Sequence, residues 1–309
     1  MKQVKIKQWA SLFNQAITPI TEISCYKGHK ILIKRDDLNH EIVQGNKLRK
    51  LKYNLQEAIN GGFESLVTFG GAYSNHIVAV AQAAKHCGLS SIGIIRGEEL
   101  SNNTQKWSQT LLQANQLGMQ LHFISRTQYK LKHRSLDVRS VLGKQVESIY
   151  LIPEGGSNQL AIKGVSEIIS ELSMQINCPD YIFSACGTGG TLAGLIEGVY
   201  SSNWGAKVCG VPVLKAGNSI QSTIQELSEH SELVDWQLYD EYHFGGYAKS
   251  TIELADFSKT FCKNNLIRLD KTYTSKAFYA VYDIIDKGKI RPNSTIVILH
   301  TGGLQGGEF

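Results

Sequence analysis

A chain of 309 residues with 42% apolar side chains can bury one large core or two modest ones, and its net charge of +5 is mild. The basic residues are scattered rather than gathered in a stripe with interleaved aromatics, which argues against a nucleic-acid partner, and no run approaches the roughly 18 apolar residues of a membrane span. The six cysteines form no C-x-x-C pair and no cluster with zinc spacing, and the opening MKQVKIKQWASLF has no apolar leader, so buried thiols in a reducing cytoplasm are expected.

In chain order the pattern alternates. KILIKRDD reads as a strand, and NKLRKLKYNLQEAINGG as a helix stopped by Gly61 and Gly62. SLVTFGG is a buried strand, NHIVAVAQAAKHCG a helix, SSIGIIRG a strand, NTQKWSQTLLQANQLG a helix and MQLHFIS a strand. Residues 126–148 are polar and helix-like without a clean apolar stripe. IYLIPEGG is a strand, NQLAIKGVSEIISELSMQ a helix, DYIFSACG a strand, and a helix starts near Thr191. AKVCGVPVL, SIQSTIQELSEH, STIELADFSKTFCKNN, SKAFYAVYDIIDKG and STIVILHTGG continue as strand, three helices and a last apolar strand. Strands that are apolar throughout and alternate with helices predict an α/β fold of twisted parallel sheets covered by helices. No Pro-rich or Ser/Gly-rich linker interrupts it, so two domains, if present, pack together.

Ligands of such sheets bind beyond the carboxyl ends of the strands. Four loops there are rich in glycine or polar residues: GGAYSNH (70–76), EGGSN (154–158), CGTGGT (186–191) and HTGG (300–303). One such loop is a common turn; four predict a shared cleft where backbone approaches a ligand. CGTGGT lies between an apolar strand and a helix, so its amides and the helix N-terminus suit a phosphate. The plain alternative is a tight strand–helix turn. The loop lacks the lysine of a nucleotide P-loop and the G-x-G-x-x-G of a dinucleotide site, which points to a phosphorylated cofactor without Mg²⁺.

The stretch EIVQGNKLRKLKYNL places Lys47, Arg49, Lys50 and Lys52 within six residues. Spacing alone favours ordinary surface charges for all of them. Lys47 nevertheless stands at a helix start, where the macrodipole disfavours a cation and a depressed pKa suits Schiff-base chemistry. Lys50 lies on the same face and could meet the phosphate, whereas Lys52 is expected to be solvated.

KRDDL…QGNKLRKLKYNL, GGAYSNHIVAVAQAAKHCGL, PEGGSN, CGTGGTLAGL, LDKTYTSKAFYAVYDII and HTGG, in this order over residues 34–303, resemble the pyridoxal-phosphate (PLP) enzymes of fold type II. Within them the chain is most similar to the family of 1-aminocyclopropane-1-carboxylate (ACC) deaminase and D-cysteine desulfhydrase. The resemblance implies a two-domain, tryptophan-synthase-β-like architecture. Residues 51–157 would form a small inserted domain, and 1–50 with 158–309 the larger PLP-binding domain. It implies that Lys47 holds PLP as a Schiff base, that Ser74 stands beside the substrate carboxylate, and that Asn75 lies near the cofactor's 3′-oxygen. Gly187, Thr188, Gly189, Gly190 and Thr191 match the phosphate cup, with Lys50 nearby. Tyr273 of KTYT matches an active-site tyrosine. Tyr247 of FGGYAKST matches a second one, although the family's proline three residues later is Ser250 here.

Thr274 stands where enzymes resembling ACC deaminase carry a glutamate facing the pyridine nitrogen. Threonine offers only a neutral hydrogen bond, hence a shallower electron sink, which suffices when a good leaving group departs from the β-carbon. The Arg-Gly of IIRGEEL also resembles the desulfhydrase branch. The expectation is therefore α,β-elimination on a small amino acid, with Lys47 removing the α-proton, a tyrosine assisting the leaving group, and pyruvate, ammonia and sulfide as products. ACC deamination to 2-oxobutyrate is the alternative. A dehydratase or racemase on the same fold, a PLP- or amino-acid-binding protein without turnover, and a nucleotide-binding protein are the competing classes. The resemblance also implies a homodimer.

Overall fold

The structure, a computed structural model, describes residues 2–14, 16–41 and 43–304. Residues 1 and 305–309, placed above in the larger domain, lie outside the described residues.

The strands are β1 (Ile20–Tyr26), β2 (His29–Lys34), β3 (Ser65–Gly71), β4 (Ser90–Arg96), β5 (Gln120–Ile124), β6 (Ile149–Ile152), β7 (Tyr181–Cys186), β8 (Lys207–Pro212), β9 (Trp236–Leu238) and β10 (Thr295–Leu299). The helices are α1 (Lys2–Phe13), α2 (Asn46–Asn60), α3 (Asn75–His86), α4 (Gln109–Gln116), α5 (Arg126–Leu131), α6 (Leu136–Leu142), α7 (Gln159–Ser173), α8 (Gly190–Ser201), α9 (Gly217–Leu227), α10 (Ile252–Asn265) and α11 (Thr274–Asp286). They build two sheets, one of six strands in the order β1-β2-β10-β7-β8-β9 and one of four in the order β5-β4-β3-β6. Every pair is parallel except β1–β2. The expected architecture of parallel sheets covered by helices is thus present.

Burial explains the continuous apolar strands. β7 is buried at all six positions, because helices cover both faces of its sheet. On one face Phe183 and Ile298 meet Phe278 and Val281 of α11; on the other Ile182 and Val297 meet Val165, Ile169 and Leu195 of α7 and α8. The four-stranded sheet has its own core, in which Leu66 and Ile95 pack with Leu51, Leu55, Val78 and Ala81 of α2 and α3. In α2 the apolar residues Leu48, Leu51, Leu55, Ala58 and Ile59 recur at helical spacing and are buried, and Gly62, at φ 77°, lets the chain turn away.

Three elements depart from the sequence reading. β1 and β2 form an antiparallel hairpin at a sheet edge, turned by Lys27 and Gly28 at φ 47° and 83°. The opening segment forms α1, whose Trp9, Leu12 and Phe13 join the core of α2 and α3. The helix expected over NTQKWSQTLLQANQLG begins only at Gln109. There Ser108 caps it by accepting the Leu111 amide at 3.2 Å, while the Trp107 indole donates to the Leu100 carbonyl at 2.9 Å and holds the preceding chain in another course.

Candidate active site

All four glycine-rich loops follow parallel strands; three of them line one cleft, and HTGG lines a smaller pocket that shares Asn46, Lys47 and Tyr273 with it. GGAYSNH leads from β3 into α3, EGGSN follows β6, CGTGGT leads from β7 into α8, and HTGG follows β10. The cleft is lined by Lys47 and Lys50 of α2, Ser74 and His76 of α3, the 186–191 loop, and Tyr247 with Tyr273.

Lys47 lies in the first turn of α2, after Gly45. A side chain at Gly45 would be impossible on two counts: its φ is +62°, and a Cβ there would lie 1.8 Å from the Thr301 carbonyl oxygen of the HTGG loop. The Lys47 amine donates to Asn46 Oδ1 at 3.2 Å and lies 6.0 Å from the centre of the Tyr273 ring, with no carboxylate in contact among the described residues. Burial pulls its pKa down to about 8, and the charge of Asp270 acts the other way without reversing it. A substantial neutral fraction therefore exists near physiological pH.

The 186–191 loop forms a cradle. Gly189, at φ 82°, caps α8, so the first amides of that helix point into the loop. A Cβ at Gly190 would sit 2.4 Å from Ser157 Oγ and 3.1 Å from the Lys50 amine. Lys50 is buried and donates to the Gly155 carbonyl at 3.0 Å and Ser157 Oγ at 3.3 Å, and Ser157 Oγ shares a hydrogen bond of 2.7 Å with Thr188 Oγ1. Burial first, then repulsion from Lys47, push the Lys50 pKa well below its usual value. A dianion in this cradle would reverse that, by giving both amines a counter-charge. Asn46 ties the cradle to Lys47 by donating to Thr191 Oγ1 at 2.8 Å.

Opposite, Ser74 is the N-cap of α3, and its hydroxyl, which lines the cavity, makes no capping hydrogen bond. Among the described residues Asn75 Oδ1 is buried without a partner, and His76 Nδ1 has none within ordinary hydrogen-bond geometry, the Pro153 backbone acting on its ring only weakly; an unsatisfied buried group costs about 1–3 kcal/mol unless a ligand relieves it. His76 Nε2 shares a 2.8 Å hydrogen bond with Thr68 Oγ1; burial and the charges of Lys47 and Lys50 hold the ring neutral. Tyr247 donates to the Tyr73 carbonyl across the cleft at 2.8 Å, and its ring stands edge-on to that of Tyr273 at 6.1 Å. Burial pushes the Tyr247 pKa up to about 12 and that of Tyr273 well above its usual value, so both hydroxyls stay protonated.

These are the features a PLP site requires: a desolvated lysine, a phosphate cradle with its own cation, and orphaned polar atoms between them. The family described as pyridoxal-phosphate-dependent enzyme matches residues 12–302 of the chain. The chain belongs to that family. Its cofactor is PLP. A Pyrococcus horikoshii protein described as a candidate ACC deaminase is 34% identical, over 94% of this chain and 90% of its own. An Arabidopsis thaliana protein named as a bifunctional, mitochondrial D-cysteine desulfhydrase/ACC deaminase is 31% identical over 90% of this chain and 73% of its own. The crystal structure of an ACC deaminase homologue superposes with a TM-score of 0.83 at 30% identity, covering 97% of this chain and 96% of that one. Tomato threonine deaminase, at 17% identity and a TM-score of 0.68, shares the fold. This places the protein among fold type II PLP enzymes similar to ACC deaminase.

For this PLP enzyme the structure brings together Lys47, Lys50, Ser74, Thr188, Gly187, Gly189, Thr191, Tyr247 and Tyr273 around one cavity, with Gly190 behind the cradle and Asn75 beside Lys47 at its margin. Thr274 lies behind the wall. It is fully buried, its hydroxyl donates to Asp270 Oδ1 at 2.8 Å, and it accepts the Asp270 amide at 2.8 Å. Lys52 is not solvated as expected; it donates to both oxygens of Glu167, at 2.8 and 2.7 Å. Arg96 and Glu154 also line the cavity, and the sequence reading assigned them no role there. Arg96 ends β4 opposite Gly71, a register that only strand pairing reveals.

Proposed function

We propose that this enzyme carries out α,β-elimination on a small amino acid, in the manner of a D-cysteine desulfhydrase, with water completing the conversion to pyruvate, ammonia and sulfide. The observation that carries the reading is Lys47: a desolvated amine, neutral in good part near pH 8, set between the cradle and two protonated tyrosines.

Lys47 would hold the cofactor's aldehyde carbon. The 187–191 loop, Ser157 and Lys50 would hold its phosphate, and Asn75 its ring oxygen. PLP, when bound, takes up the electrons released when a bond at the substrate's α-carbon breaks. The substrate carboxylate is held by Ser74 and the free amides at the start of α3. The Lys47 amine receives the α-proton. The Cβ–S bond then breaks with its electron pair leaving on sulfur, and a tyrosine hydroxyl, Tyr273 or Tyr247, donates to that sulfur. Both can do so because burial keeps them protonated.

Thr274 favours elimination over cyclopropane opening. Its hydroxyl is already committed to Asp270, and the Asp270 carboxylate accepts the amides of Thr272, Tyr273 and Thr274 at 2.7–2.9 Å. A position tied up in this way provides no negative charge for a ring nitrogen, which suits a reaction driven by a good leaving group. The second reading, ACC deamination, has support in the names of the relatives, one of which carries both activities. Operation as a homodimer in the cytoplasm belongs to the same proposal; none of the six cysteines is in a disulfide, in keeping with a reducing compartment.

The test is a keto-acid and sulfide assay of the PLP-loaded protein on D-cysteine, L-cysteine, D-serine and ACC, with Lys47→Ala as control. Pyruvate with sulfide from D-cysteine supports elimination. 2-Oxobutyrate from ACC alone overturns it in favour of the deaminase. Visible bound cofactor with no product from any of the four would favour binding without turnover. Lys47→Ala should lose turnover and the visible absorbance of bound PLP together; retention of both would remove Lys47 from its role.

A further inference from the structure

Lys276 is fully buried in α11, three residues beyond Tyr273. Among the described residues its amine meets no carboxylate. It donates instead to three backbone carbonyls, of His243 and Gly246 at 2.9 Å each and of Val213 at 3.5 Å. Asp270 reaches it only through longer-range charge, and burial lowers its pKa to about 8. A buried ammonium carries a heavy desolvation penalty, and methionine would fill similar space without it. A polar amine at this depth therefore needs a reason, and its acceptors supply one.

His243 and Gly246 belong to an unusual turn, residues 243–248. Phe244, Gly245, Gly246 and Ala248 have φ of 50°, 88°, 121° and 55°, so two non-glycine residues sit in the left-handed region. Such a backbone persists only where its surroundings over-determine it. The residue inside this turn is Tyr247, whose hydroxyl crosses the cleft to the carbonyl of Tyr73, next to Ser74. Val213, the third acceptor, adjoins Leu214, which lines the cavity. One amine thus connects the helix that starts beside Tyr273 to the turn that presents Tyr247.

We propose that Lys276 is a positioning residue, a tethered amine that holds the 243–248 turn by its carbonyls and thereby sets Tyr247 against the reacting groups. This rests on the reading that Tyr247 works in the cleft.

The test is Lys276→Met, read by amide hydrogen exchange over residues 244–249 and by turnover, in the wild-type and Tyr247→Phe backgrounds. Exchange in the turn should rise by about tenfold or more while the PLP dissociation constant stays within about twofold. The fall in kcat, of about tenfold or more, should shrink to less than about twofold once Tyr247 is phenylalanine, because the two residues then act as one unit. Should Lys276→Met not fold, Lys276→Leu, which likewise has no donor for the carbonyls, is read in the same way. Unchanged exchange in the turn, or losses that multiply in the double variant, overturns the proposal. Faster exchange in a protein whose Tyr247→Phe variant turns over normally supports the anchor and overturns the role given to Tyr247 instead.

Discussion

Four cations crowd the first two turns of α2, and each has a different fate. Arg49 is buried between Asp36, at 2.9 Å, and Glu171; Lys52 pairs with Glu167; Lys50 caps the 186–191 cradle; Lys47 faces the cavity with no acid in contact among the described residues. The run of charge in the sequence cannot separate them, because helical spacing tells which residues share a face and not what that face meets. The separation has a chemical consequence. Lowering an amine's pKa enlarges its neutral fraction at a given pH, so Lys47 should react before the surface lysines as pH rises. Limited acylation of the cofactor-free protein, read by peptide mass spectrometry, should give a midpoint near pH 8 for Lys47, against about 10.4 for solvated lysines. A midpoint near that of the solvated lysines would eliminate desolvation as the source of its reactivity.

At the scale of elements, α2 and α7 are locked by a buried ionic cluster. Glu171 of α7 accepts from Arg49 of α2 and, at 2.9 Å, from Lys34 of β2. Burial by itself would raise the Glu171 pKa; the hydrogen bonds and charge of Arg49, then those of Lys34, outweigh it and the net shift is downward. A carboxyl whose folded pKa is depressed stabilises the fold above its unfolded value and loses that contribution as pH falls through the folded one. Acid titration of unfolding should therefore show stability falling below about pH 4.5. Glu171→Gln should flatten that dependence and cost about 3 kcal/mol at neutral pH, because buried Lys34 loses its carboxylate partner and Arg49 keeps only Asp36. The cradle gives a second prediction. Gly190→Ala places a methyl group 2.4 Å from Ser157 Oγ and 3.1 Å from the Lys50 amine. PLP affinity, measured by equilibrium titration of its absorbance, should drop at least about tenfold, or ~1.4 kcal/mol. Ser157, whose Cβ would lie 2.8 Å away as well, has to shift with its loop, and a Tm close to the wild-type value would show that the fold itself is retained. An unchanged affinity would place the phosphate elsewhere.

The whole molecule has two sheets with separate cores, and this bears on the domain division expected from sequence. The strands of residues 65–152 form one sheet, and those of 20–34 and 181–299 the other. α1 joins the core of the four-stranded sheet although the resemblance counts its residues with the larger domain. Trp9 and Trp107 pack on that core, Trp204 and Trp236 on the other. If the two units unfold with their own stabilities, variants retaining only one tryptophan pair should report different urea midpoints by fluorescence. Coincident midpoints would mean that α2, which packs against both halves, makes them one cooperative unit.

Apolar runs and glycine stops marked most strands and helices in advance, because both faces of these sheets are covered and a covered strand must be apolar throughout. What escaped were segments whose signal is set by partners. β9 is three residues long; β1 has mostly half-exposed or exposed positions; and α1 shows a weak apolar stripe that gains meaning only against α2 and α3. In the cleft the sequence by itself supplied the parts: GNK, YSNH, the CGTGGT loop and the tyrosine of KTYT are local patterns whose backbone demands are written in their glycines. Only the tertiary structure decided what each part does. It buried Lys47 away from acids, committed Thr274 to Asp270, brought Tyr247 across to Tyr73, and placed Lys276 under the turn that carries it. A pKa, an orphaned atom or a cross-cleft hydrogen bond depends on distances between residues far apart in the chain, and those distances exist only once the two sheets have packed together.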